Sequence, residues 1–184
     1  MNISMKGNIF VKQTLNLIVY TAAACALTSC GGGGGGGGFV GAADTALMVT
    51  PNKLDTGDNA SVAVEIAEVH SGGISLKLRY PKEASYVPDS AFLLVDSNKK
   101  NVTPTVNTVV DEDTYLVFYL SDTWFGKGKS GTLELEIEGK QEVSKSTVEV
   151  DADVDDPQIA NDVEFDSQNP EFSAQDSVNF EVQG

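Results

Sequence analysis

The sequence predicts an all-β protein built as a sandwich of two antiparallel sheets. From Leu47 onward apolar residues alternate with polar ones at period 2, clusters of turn-forming residues separate the alternating stretches, and no window after residue 40 sustains a period of 3.6. At 184 residues the chain has the length of one domain with appendages. Its 41% hydrophobic content is enough to build a core, which argues against wholesale disorder. Lys6 and Lys12 stand in the first 29 positions, where there is no acid, so the chain from Cys30 onward sets ten basic residues against 27 acidic ones, a net −17. A balance of that sign excludes a nucleic-acid binder, because phosphate contacts need clustered Lys and Arg, and it opposes adsorption to anionic lipid heads.

Residues 1–29 read as a signal peptide. A short stretch with two lysines is followed by a mostly apolar run, Thr14 to Leu27, that carries Asn16. A helix needs about 20 apolar residues to span a bilayer, so this run reads as a cleaved leader. At its end Leu27-Thr28-Ser29-Cys30 resembles the lipobox of bacterial lipoproteins. The resemblance implies cleavage between Ser29 and Cys30, and fatty acylation (palmitate or a relative) of Cys30 through a diacylglycerol. With Gly31 instead of Asp after the cysteine, it also implies an outer-membrane or cell-surface location. Cys25 lies within the leader, which leaves Cys30 alone in the mature chain. No intrachain disulfide can then form, so packing alone must hold the domain.

Gly31 to Gly38 are eight consecutive glycines, which cannot bury surface and lose the most entropy on ordering. Residues 30–45 are therefore expected to be a flexible tether carrying the lipidated Cys. A coil of this length spans on the order of 20 to 25 Å. A phosphate-binding loop would need a strand before the glycines and a helix after them. Neither is present.

Residues 46–155 are expected to form the sandwich. Val62-Val64-Ile66, Ile74-Leu76-Leu78-Tyr80, Leu133-Leu135-Ile137 and Val148-Val150-Ala152-Val154 each alternate with polar residues, which predicts half-buried strands with one face to water. Phe92 to Val95 and Tyr115 to Leu120 are more continuously apolar and predict central strands. Val102 to Val110 predicts a further strand, with Pro104 forcing an edge or a bulge near its start. Asp55 to Asn59, Ser71-Gly72-Gly73, Asp96-Ser97-Asn98, Asp111-Glu112-Asp113 and Gly139-Lys140 supply the turns. Tyr80-Pro81, Tyr86-Val87-Pro88-Asp89-Ser90 and Gly128-Lys129-Ser130-Gly131-Thr132-Leu133 together are similar to the immunoglobulin-like repeats of bacterial surface proteins. That resemblance implies an antiparallel immunoglobulin-like β-sandwich serving as a spacer or adhesive module with no active site.

Residues 156–184 continue an acidic end: positions 149–184 hold eleven acids and no Lys or Arg. Val178, Phe180 and Val182 alternate with polar residues and predict one or two further strands.

Catalytic motifs are absent. His70 is the one histidine, too few for zinc and remote from any nucleophile elbow. Gly128-Lys129-Ser130 ends like a Walker A loop, but Thr123 stands where the first glycine belongs. Paired carboxylates leave a glycosidase-like envelope hydrolase as the rival class. Asp151, Asp153, Asp155, Asp156 and Asp162 offer hard oxygen ligands at a span that suits calcium, although Asp156 replaces the glycine an EF-hand loop requires at its sixth position. The alternative is an acidic strand facing solvent. Trp124 and Phe125 are either an exposed platform for a glycan or protein partner or a plug for the end of the sandwich. The expectation is a lipid-anchored, monomeric, non-catalytic binding, adhesion or spacer module of the cell envelope that needs no cofactor.

Overall fold

In the computed structural model, residues 44–69, 72–154, 166–168, 170 and 172–184 are described, all of them within one compact unit, Gly38–Gly184. Residues 1–29, expected to be a signal peptide, lie outside the described residues, as do Cys30 and the glycine run. Twelve strands follow in order: β1 (Asp44–Thr50), β2 (Lys53–Asp55), β3 (Asn59–Ala67), β4 (Ile74–Pro81), β5 (Ala84–Tyr86), β6 (Phe92–Val95), β7 (Asn98–Asn101), β8 (Val106–Val110), β9 (Asp113–Leu120), β10 (Gly131–Gly139), β11 (Val143–Val154) and β12 (Asp176–Gln183). The one helical element among the described residues is a single 3-10 turn, Asp122–Trp124.

The first sheet runs β1-β3-β10-β6-β7, with β5 also paired to β10, and the second runs β2-β12-β11-β4-β9-β8. Within them, β1-β3-β10-β6 stand in the A-B-E-D order of an immunoglobulin sandwich and β4-β11-β12 in the C-F-G order. The fold is thus the antiparallel β-sandwich that the alternation predicts, in the immunoglobulin-like strand order that the resemblance implies, with the β8–β9 hairpin added beside β4. One pairing is parallel: β12 against β2. The chain leaves the first sheet at Thr50–Pro51, a cis bond, and enters the second as β2.

Period-2 alternation explains the core. Val62, Val64 and Ile66 of β3, Leu133, Leu135 and Ile137 of β10, Leu76, Leu78 and Tyr80 of β4, and Val148 and Val150 of β11 are all buried in one cluster between the sheets. Phe180 and Val182 of β12 join the same cluster. β9 differs, because Tyr115 and Val117, on its outward face, are buried as well. Its continuous apolar run therefore reports burial on both faces.

Turn positions follow the sequence closely. Asp96 and Ser97 both have positive φ, 47° and 67°, the combination that a two-residue hairpin between β6 and β7 requires. Gly73 has a φ of +106°, and a Cβ there would stand 2.4 Å from the Leu120 carbonyl oxygen. Only glycine lets the turn before β4 pass so close to the end of β9.

Two expectations are corrected. Val102 to Val110 is not one strand: Pro104 has no N–H to give a ladder, Val102 N donates to Ala91 O and Thr105 N to Val117 O, and β8 starts only at Val106. The outward face of β11 is not simply turned to water, since Asp151 is only 3% exposed. The physical reason is a short strap, residues 172–175, laid across that face.

Candidate binding surface

One end of the sandwich gathers the loop after β9, the β6–β7 turn and edge strand β7. Ser121 opens the 3-10 turn, its Oγ accepting from Thr123 N at 3.4 Å. The turn then drives Phe125 into the core with no exposed surface, while Trp124 stays half-buried against the core's rim. Of the two sequence alternatives, Phe125 takes the plug, and a two-ring platform is not formed.

This end carries the lysines Lys99, Lys100, Lys127 and Lys129, with the Asp96 and Asp122 carboxylates among them. Lys100 Nζ stands 3.9 Å from the Trp124 ring centroid, and Lys99 Nζ stands 3.3 Å from that of Phe92. Contacts of this kind contribute about 0.5 to 1 kcal/mol at exposed sites. Lys129 Nζ pairs with Asp122 Oδ2 at 3.4 Å. Gly126, where a Cβ would sit 3.4 Å from Asp96 Oδ2, brings the loop carrying exposed Lys127 against the β6–β7 turn. Sequence reading found Trp124 but missed Lys99 and Lys100, because a lysine over a ring depends on cross-strand register and leaves no local pattern.

The outer face of the second sheet is a separate charged cluster, partly covered by the strap. Arg79 Nε donates to Glu149 Oε2 at 2.9 Å, with Asp113 Oδ2 3.9 Å from the same side chain. Burial pulls the Arg79 guanidinium down, but hydrogen bonds and charge from Glu149 and Tyr115 outweigh it and raise its pKa. Burial raises the Asp113 carboxyl, although Arg79 draws it the other way. Phe172 of the strap packs edge-on against Tyr115, centroids 6.0 Å apart, and beneath the Arg79 guanidinium at 4.5 Å. Ser173 N donates to Asp151 Oδ2 at 3.0 Å, and Gln175 brackets Ala152, its Oε1 accepting from Ala152 N and its Nε2 donating to Ala152 O.

These contacts bear on the acidic candidates. The Asp151 carboxylate faces Lys77 Nζ at 3.6 Å besides the Ser173 amide, so it serves the strap. Asp153 continues β11, and Asp155, Asp156, Asp162 and His70 lie outside the described residues. Among the described residues no group of three or more Asp, Glu, His or Cys is arranged to hold a metal ion. Glu149 and Asp113 converge, but onto Arg79, an ion-pair arrangement and not an acid facing a base across an open cleft. With Asp151 so engaged, millimolar calcium and ionic-strength-matched sodium chloride are expected to raise the melting temperature equally, by screening the acidic end. A calcium-specific excess that Asp153→Asn with Asp155→Asn abolishes would establish a calcium site instead.

The chain matches no family model and no curated protein. Among solved structures it resembles a non-cellulosomal cohesin from the hyperthermophilic archaeon Archaeoglobus fulgidus, at 15% identity and TM-score 0.44 over 76% of this chain and 91% of that one. It also resembles the T6 backbone pilin of serotype M6 Streptococcus pyogenes, at 10% identity and TM-score 0.43 over 59% of this chain and 28% of that one. A third is the N-terminal domain of a Streptococcus gordonii adhesin, at 10% identity and TM-score 0.40 over 59% and 29%. TM-scores below 0.5 mark partial overlaps, and none of them says what this chain binds.

Proposed function

We propose that this chain is a lipid-anchored protein of the cell envelope whose β-sandwich is a non-catalytic binding, adhesion or spacer module, held at the outer membrane or cell surface. The observation that carries the reading is the order of parts: Leu27-Thr28-Ser29-Cys30, eight glycines, then a sandwich whose first strand starts at Asp44. A diacylated cysteine supplies firm membrane attachment where one acyl chain is marginal. The glycine tether lets the sandwich stand off the bilayer and reorient, so that its partner can be a soluble or surface-bound molecule.

Cys30→Ala is expected to abolish incorporation of a labelled fatty acid and to release the protein from the membrane fraction or leave it unprocessed. Mass analysis of the mature N-terminus checks the same point. An unmodified terminus at a residue other than Cys30 overturns the anchor.

A further inference from the structure

We infer that β7 is a docking edge for an extended, acidic segment of a partner protein, which adds to the first sheet as a further strand. The inference rests on the binding-module reading and names the partner class. Among the described residues β7 is hydrogen-bonded on one side alone, to β6, and Asn98, Lys99, Lys100 and Asn101 are all exposed. Its free side offers backbone donors and acceptors at strand spacing, the template that strand addition uses. The positive-φ turn at Asp96 and Ser97 holds this short edge in a fixed hairpin.

Charge selects the occupant. The chain has 27 acids, yet Lys99 and Lys100 form an ion pair with none of the described ones. Each ammonium instead rests over an aromatic ring, which fixes it beside the edge while leaving N–H donors for an anion. Neighbouring residues of a strand point to opposite faces, so Lys99 and Lys100 flank the edge from both sides. A strand laid along β7 alternates in the same way and brings consecutive acidic residues to the two ammoniums. Lys127 adds a third cation at this end. Charges beyond about 8 Å are largely screened at physiological salt, so the remote net charge counts for little here, and of the nearby acids Asp122 is paired with Lys129.

The same lysines reject other occupants. A second copy of β7 would set lysine against lysine, and like charges directly opposite destabilise a pair. A sugar ring would need a bare aromatic face to stack on. Here Lys99 and Lys100 already cover the Phe92 and Trp124 faces.

Titration of the full chain tests this with two synthetic 10-residue peptides of alternating Thr and Val, one interrupted by two adjacent Glu and the other by two adjacent Lys. Trp124 is the only tryptophan, so its emission reports directly on the Lys100 contact. The Glu peptide is expected to bind and shift the emission, and the Lys peptide to leave it unchanged. Lys99→Glu with Lys100→Glu should weaken the Glu peptide at least tenfold, let the Lys peptide bind, and leave the chain folded with a melting temperature only a few degrees lower, as loss of the two ring contacts implies. N-methylation of alternate amides in the Glu peptide should weaken it similarly. Undiminished binding of the methylated peptide would overturn strand addition. No binding of the Glu peptide, or binding only of a sulfated polysaccharide or of anionic vesicles run in parallel, would overturn the peptide partner. Fatty-acid labelling at Cys30 is a separate readout, so failure here leaves the anchor standing and failure there leaves this surface standing.

Discussion

Phe180→Ala is expected to cost about 3 to 5 kcal/mol, the range for truncating a buried aromatic ring without collapse of the site. Phe180 is 1% exposed, and its strand lies between β2 and β11, so neither neighbour can close over the void without losing register. Against a typical stability of about 5 to 15 kcal/mol this is a large fraction. It corresponds to a melting temperature lower by roughly 10 to 20 °C for a domain of this size. Urea and thermal denaturation followed by far-ultraviolet circular dichroism measure it. A loss below about 1 kcal/mol would mean that β12 hangs at the edge of the fold and does not build its core.

Asp151→Ala is expected to cost about 3 kcal/mol, as breaking a buried ion pair does when one partner stays behind. The Asp151 side chain is 4% exposed and that of Lys77 16%, so both charges are largely withdrawn from water. The change also removes the acceptor of the Ser173 amide, which loosens the strap. Hydrogen exchange at residues 172–175 should therefore rise in the variant. Adding Lys77→Met should recover most of the loss, because replacing both members of such a pair by apolar groups is often neutral. Equal instability of the single and double variants would show that the pair is not what Asp151 contributes.

These residues mark the boundary of what the sequence discloses. β4, β6, β9, β10 and β12 were legible because burial imposes alternation or continuous apolarity on them, and the turn at Asp96 and Ser97 because few residue types accept positive φ. β7 was not legible. Asn98-Lys99-Lys100-Asn101 has no apolar face, and its strand form comes from backbone pairing with β6. Asp151 reads like its acidic neighbours, yet it is held by Ser173 of the strap, more than twenty positions later. The end at Trp124 was half legible: an isolated Trp announces itself, while the lysine folded onto it is set by register between strands.

The parallel pairing of β2 with β12 has a consequence in time. Lys53 meets Glu181 across 128 positions, and the second sheet has a gap between β2 and β11 until residues 176–183 arrive. A chain emerging N-terminus first therefore carries an unfinished sheet through almost its whole length. Distant pairings of this kind place folding in the millisecond-to-second class of β-sandwiches. The last of the described strands is thus the one that closes the second sheet.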